Sequence, residues 1–311
     1  MPLPDCWYLS GPTASGKTAV GVELALLLNA EIISLDSMAV YRGMDIGMAK
    51  PTLDERRGVP HHLIDVVSPG EEFSLAKYVA AAEQAAADIA ARGRLALFVG
   101  GTPLYLKSML RGIFVGPAAD WPLRREFLAI AESNGPEGLH ARLAKVDPQS
   151  AARLHPSDTR RVVRALEVWE KTGKSITALQ QQFGQARQAA DSRVFVLDWP
   201  RDELVVRIDE RVEAMFRQGL VEEVRELLAG GSALSHTATQ AVGYREVIEH
   251  LDGVRNLPDT IELVKIRTRQ FAKRQRTWYR SLSESRFVAR TPRDQTPDVA
   301  LKIVRSVPGS V

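Results

Sequence analysis

The segment GPTASGKT, Gly11 to Thr18, places a glycine, four residues, a second glycine, a lysine and a threonine between an apolar run, CWYLS (Cys6 to Ser10), and a stretch apolar at helical spacing, Ala19 to Leu28. That order suits a loop that cradles phosphate. Gly16 lets backbone N–H groups turn inward around phosphate oxygens, the helix N-terminus adds the positive end of its dipole, Lys17 adds a point charge, and the Thr18 hydroxyl can hold Mg²⁺. The alternative, a glycine-rich turn that binds nothing, is opposed by the flanking strand and helix. The acid beside the loop then bears on the chemistry. NTPases usually end a second apolar strand in a Mg²⁺-binding aspartate. Here EIISLD (Glu31 to Asp36) ends in Asp36, whereas LALFVGGT (Leu95 to Thr102) ends with no carboxylate. Asp36 is therefore a candidate for a different role, or it caps a local turn.

Three further segments concentrate positive charge on helical patterns. One starts at Ser157 or Asp158 and runs to Lys171, with Val162, Leu166 and Trp169 as its apolar stripe and Arg160, Arg161 and Arg164 pointing elsewhere. A second, starting near Glu203, has Leu204, Ile208, Val212 and Met215 as its core face and Arg207 and Arg211 one turn apart on a flank. In the third, Lys265 to Arg280, seven of sixteen residues are basic and none is acidic. There Lys265, Arg269, Lys273, Arg276 and Arg280 form a continuous stripe, while Val264, Phe271 and Trp278 follow core spacing. Such a stripe fits a polyanion, or it is a solvated face whose charge acids elsewhere neutralise.

The elements that must position these groups are strands alternating with helices. EIISLD, HLIDVV (His62 to Val67), LALFVG (Leu95 to Gly100) and VFVLDW (Val194 to Trp199) join CWYLS as buried-strand runs, and Leu75 to Ala91 reads as a helix capped by Ser74. The fold class expected is α/β, a parallel sheet core like that of P-loop NTPases with a mostly helical insertion. The expected boundaries are 1–110 with 191–290 for the core and its C-terminal helices, 111–190 for the insertion, and 291–311 for a loosely packed tail. A single cysteine, Cys6, argues against a disulfide framework or a Cys-rich zinc site. With no signal-peptide pattern and no long apolar span, a cytoplasmic protein that makes no membrane contact is expected. The net charge of +3 says little as an average.

Seven blocks in order then resemble the tRNA dimethylallyltransferase family: GPTASGKT, DSMAVYRGMDIGMAKP (Asp36 to Pro51), PHHLID (Pro60 to Asp65), GGTPLY (Gly100 to Tyr105), HPSDTRRVVRALEV (His155 to Val168), QAVGYRE (Gln240 to Glu246) and RTRQFAKRQRTWYR (Arg267 to Arg280). The resemblance implies transfer of a dimethylallyl group from dimethylallyl diphosphate to N6 of adenine 37, beside the anticodon, in tRNAs reading codons that start with U, with Mg²⁺. Asp36 matches the family's base. Lys17, Thr18 and Arg211 match groups that act on the diphosphate, together with the loop residues Gly11, Pro12, Thr13, Ala14, Ser15 and Gly16, and Thr18 is the metal-binding position. The tRNA anticodon stem-loop would meet Asp36, Ser37, Met38, Ala39, Thr102, Arg124, Arg160, Arg161, Arg164, Gln240, Gly243, Tyr244 and Arg245. Members of the family often carry Gln at Ala39, Thr at Met48 and Gly at Pro103. The sequence has no C-terminal Cys/His extension of the eukaryotic kind, so a bacterial-type member is expected, acting as a monomer. The rival readings are prenyl transfer to a free adenine nucleotide, a P-loop small-molecule kinase and a non-catalytic RNA-binding module.

Overall fold

The computed structural model describes residues 6–114, 116–179, 192–230 and 233–308. The chain divides into two units, Met1–Leu110 with Ala186–Val311, and Arg111–Gln185. The first unit begins with β1 (Trp7–Ser10), α1 (Lys17–Leu28), β2 (Ala30–Ser34), α2 (Leu53–Arg56), β3 (His61–His62), α3 (Leu75–Ala91), β4 (Leu95–Gly100) and α4 (Pro103–Arg111), which runs to the boundary. The second unit holds α5 (Trp121–Val146), α6 (Pro148–Arg153), α7 (Thr159–Thr172) and α8 (Ile176–Leu179). The first unit resumes with β5 (Val194–Asp198), α9 (Arg201–Arg217), α10 (Leu220–Ala229), α11 (His236–Thr239), α12 (Tyr244–Leu251), α13 (Leu257–Arg280), β6 (Ser285–Ala289) and α14 (Thr296–Arg305).

The six strands form one parallel sheet in the order β3-β2-β4-β1-β5-β6. Every residue of β1 and β2 is buried, as expected of strands covered on both faces. Leu9, Val20, Leu24, Ile32, Leu97, Phe195 and Leu197 join the sheet to α1 in one core. The C-terminal ends of β1, β2, β4 and β5 run into Gly11, Asp36, Gly101 and Trp199 respectively, the edge at which ligands bind in parallel α/β sheets.

Three sequence expectations need correction. The strand expected over His62 to Val67 stops at His62, because Leu63 and Asp65 take left-handed backbone angles (φ 60° and 58°). The chain then folds onto the loop after β2: Asp65 N–H reaches Ala39 O (3.1 Å), and Val66 and Val67 both donate to Val40 O (2.9 and 3.0 Å). The tail expected over 291–311 contains α14, whose Val299, Ala300, Ile303 and Val304 are buried in the sheet core; residues 309–311 lie outside the described residues. The 191–290 segment, expected to end in C-terminal helices, closes instead on a sixth strand, β6, paired with β5.

The basic helix is corrected too. The buried face of α13 is Thr260, Val264, Lys265, Ala272, Gln275 and Tyr279, while Phe271 is exposed. Its cations meet acids brought in by other elements: Lys265 bonds Glu213 (2.9 Å), Arg269 grips Asp209, Arg267 bonds Glu246 (2.8 Å) and Arg276 bonds Asp198 (3.1 Å). Much of the stripe is therefore a strut between α13 and α9, α12 and β5. Either Asp209→Arg or Arg269→Asp alone should lower stability by about 1 kcal/mol, and the double swap should recover most of it. Chemical denaturation of the four proteins measures the coupling.

The second unit packs Phe127, Leu139, Leu143, Val162 and Leu166 in its own core, and α5 is broken at Gly135 (φ 74°) ahead of Pro136. Residues 180–190 of the expected insertion lie outside the described residues.

Candidate active site

The loop between β1 and α1 is held from outside by its carbonyls. Trp199 Nε1–H donates to Ser15 O (2.9 Å), and Arg207 Nε–H, stacked over the Trp199 ring at 4.4 Å, donates to Ala14 O (2.9 Å). A trans peptide points its N–H opposite to its C=O, so these contacts turn the N–H of Gly16 away from Trp199. Gly16 takes the left-handed angle φ 80° and gives α1 no side-chain cap, which leaves the donors of the first helical turn for a ligand. The Ser15 hydroxyl is buried without a partner. Thr13 N–H is held at 2.9 Å by Gln275 Oε1.

Lys17 Nζ donates to Pro12 O (3.3 Å). Its pKa is lowered to about 8, by burial first and by the Arg211 charge second, with the Asp36 carboxylate opposing both. Arg211 is likewise held below its ordinary value, by burial first, with Asp36 opposing and Arg207 adding repulsion. Lys17, Arg211 and Asp36 thus form one electrostatic group, two cations against a single carboxylate.

Asp36 follows β2 and also closes a turn, its Oδ1 accepting from Met38 N–H (2.8 Å) and Ala39 N–H (3.4 Å). Thr102, after β4, ties the two strand ends together: its N–H donates to Leu35 O (3.1 Å) and its Oγ1 accepts from Ser37 N–H (3.1 Å). A Cβ on Gly100 would lie 2.2 Å from Leu35 O, so only glycine permits that approach. Tyr78 and Tyr105 stack at 4.0 Å, and Tyr78 donates to Ser34 O (2.9 Å). Burial raises both phenols above their ordinary range, and the Asp36 charge adds to each shift. This aromatic pair escaped the sequence reading, although Tyr105 ends the quoted block GGTPLY.

The loop beyond Asp36 is built on a core of Val40, Tyr41, Met44, Val224, Tyr244 and Val247, against which Met48 packs. The Glu223 carboxylate accepts from the N–H groups of Asp45 (3.0 Å), Ile46 (2.7 Å) and Gly47 (3.2 Å), and also from the Tyr244 hydroxyl. A Cβ on Gly47 would lie 2.4 Å from the Tyr244 ring. Tyr244 is fully buried, so the residue read as an RNA contact is a support for the loop. Gly243 is buried as well, its N–H on Glu246 (2.7 Å). Ser37 and Met38 are half-buried and Ala39 buried, whereas Gln240 and Arg245 are exposed, the latter paired with Glu249 (3.2 Å). Pro103 starts α4, where its missing N–H costs nothing.

Arg124, Arg160, Arg161 and Arg164 belong to the second unit. Arg124 grips the buried Glu167 through two bonds (2.8 and 2.9 Å), Arg164 adds a third, and Asp120 N–H a fourth (2.7 Å). Burial pushes the Glu167 carboxyl up, but these donors outweigh it and hold it below its ordinary range. Arg160 and Arg161 are exposed, Arg161 lying 3.4 Å from Asp158.

No group of three or more His, Cys, Asp or Glu side chains that could hold a metal is found among the described residues. Mg²⁺ at a phosphate site takes only one or two protein oxygens and completes its shell from phosphate and water. The Thr18 hydroxyl in the first turn of α1, beside a loop built for phosphate, fits that hard-oxygen requirement. No helix among the described residues is long and apolar enough to cross a membrane.

Comparison with known proteins places this arrangement. The family model described as IPP transferase matches residues 39–282. The tRNA dimethylallyltransferase 1 of Trichlorobacter lovleyi is 46% identical over 286 residues, covering 92% of this chain and 94% of that protein. The crystal structure of a tRNA isopentenylpyrophosphate transferase from Bacillus halodurans superposes with a TM-score of 0.70 at 38% identity, covering 97% of this chain and 95% of that one. A eukaryotic dimethylallyltransferase acting on tRNA superposes with a TM-score of 0.78 at 30% identity, covering 96% of this chain and 76% of that one. The chain belongs to the IPP transferase family, among the tRNA dimethylallyltransferases.

Proposed function

We propose that the protein transfers a dimethylallyl group from dimethylallyl diphosphate to N6 of adenine 37 in tRNAs that read codons starting with U. The observation that carries this reading is the meeting, on one sheet edge, of a loop with free inward donors, the cations Lys17 and Arg211, and the single carboxylate of Asp36. Some phosphoryl-transfer sites also carry a carboxylate base, so Asp36 supports this reading together with the family match. An adenine amine calls for such a base because its lone pair is delocalised into the ring and its proton must leave.

In the reaction the C1–O bond of the donor breaks and its electron pair leaves with diphosphate. The N6 lone pair forms the new C–N bond, and Asp36 accepts the N6 proton. Gly11 to Thr18, Lys17 and Arg211 stabilise the growing charge on the leaving group. Thr18 would hold Mg²⁺, whose charge would neutralise part of that on the diphosphate. The stacked, buried Tyr78 and Tyr105 add apolar packing beneath the end of β2, where exclusion of water would protect an allylic centre. In this reading Ser37, Met38, Ala39, Thr102, Gln240 and Arg245 would read base edges and loop backbone, and Arg160 and Arg161 would offer charge to phosphates. We take the enzyme to be a cytoplasmic monomer.

Labelled dimethylallyl diphosphate should modify an unmodified tRNA with adenines beside the anticodon and leave AMP unlabelled. Labelling of AMP alone would replace this reading with prenylation of a free nucleotide.

A further inference from the structure

Gln275 is a polar side chain on the buried face of α13, 3% exposed, with both ends of its amide committed. Its Oε1 accepts the N–H of Thr13 in the phosphate loop at 2.9 Å, and its Nε2 donates to the carbonyl of Gly101 at the end of β4. The partners fix the orientation of the amide, since a backbone N–H must face oxygen and a carbonyl must face N–H. Gly101 shows how tightly the group is packed. A Cβ there would lie 2.9 Å from Gln275 Nε2 and 3.3 Å from Lys17 Nζ, so the amide and the ammonium both close over the same glycine.

We infer that Gln275 is a positioning residue for the diphosphate site: it fixes the entry of the phosphate loop against the β4 loop and supports Lys17 without adding charge. The inference rests on the diphosphate reading of that loop. A glutamine satisfies both strands of the site, keeps Thr13 N–H in place before the ligand arrives, and adds no second anion to the Asp36 carboxylate that already opposes Lys17 and Arg211. A carboxylate of the same shape would break the bond to Gly101 O and oppose the ligand's charge.

The test is binding of inorganic diphosphate, by calorimetry at low and at high salt, to the full chain and to Gln275→Glu and Gln275→Leu. Both variants should raise Kd by about tenfold, the order of one hydrogen bond lost beside a charged group. Gln275→Glu should weaken binding further than Gln275→Leu, and only that excess should shrink as salt rises, because it comes from a like charge beside the ligand, a change that a merely structural defect would not produce. Folded variants with Kd within twofold of wild type at both salt concentrations would overturn the inference while leaving the diphosphate reading intact. A wild-type chain that does not bind diphosphate would end both. Should neither Gln275 variant fold, Gly101→Ala displaces the same amide from the other side and should show the same weakening; unchanged affinity there contradicts the role.

Discussion

Asp36→Asn is expected to cut prenyl transfer by about 10²- to 10⁴-fold, the usual contribution of a general base, while inorganic diphosphate binds at least as tightly as before. The two effects separate because Asp36 does two jobs. As a turn residue it accepts the N–H groups of Met38 and Ala39 through Oδ1, and an asparagine oxygen still accepts them, though without the carboxylate's charge. As a base it must take a proton from N6, which an amide cannot do. Removing its charge also strips away the one anion that opposes Lys17 and Arg211, so the leaving-group site becomes more attractive to a dianion. Asp36→Ala should show the same catalytic loss together with a small loss of stability from the two unpartnered N–H groups. Equal losses of transfer and of diphosphate affinity in Asp36→Asn would instead assign the residue to the loop's architecture.

The second large effect concerns protons. Burial and Arg211 lower the Lys17 pKa to about 8, so in the free protein the side chain is mostly charged at pH 7 and mostly neutral at pH 9. A bound diphosphate favours the ammonium and raises the pKa again. Binding should therefore take up a proton between roughly pH 8 and 10, and affinity should fall as pH rises through that range. Calorimetry in buffers of different ionisation enthalpy measures the uptake directly. Lys17→Ala should abolish this uptake and weaken diphosphate binding by about 10- to 100-fold, the size of a charge-assisted hydrogen bond. Unchanged proton uptake in Lys17→Ala would assign the titration to another group.

What the sequence made legible follows from how local each signal is. β1, β4 and α3 are carried by continuous apolar runs or by an alanine-rich stretch with a capping serine, and they stand within a residue or so of the expected bounds. The phosphate loop and Asp36 were legible because their neighbours in sequence are also their neighbours at the sheet edge. β6 and α14 were not, because Ser285 to Ala289 is short and half-exposed and becomes a strand only by lying along β5. The stripe on α13 misled for the same reason. Apart from Glu262, one turn before Lys265 on the same helix, its acids Asp198, Asp209, Glu213 and Glu246 are supplied by β5, α9 and α12, and no local window contains those four. Tyr244 and Gln275 are the sharpest cases: one sits in a quoted motif and the other among seven cations, yet both are buried supports. For Gln275 the available signal was its place one turn before Tyr279 on the apolar face of the helix.

The account stands on where the dimethylallyl carbon ends up. An unmodified tRNA carrying adenine 37, incubated with the protein, Mg²⁺ and dimethylallyl diphosphate and then digested to nucleosides, should yield N6-dimethylallyladenosine by mass spectrometry from that one position. The same digest after reaction with Asp36→Asn should yield almost none. An unmodified tRNA alongside prenylated free nucleotide, or a phosphorylated product in place of a prenylated one, would contradict it.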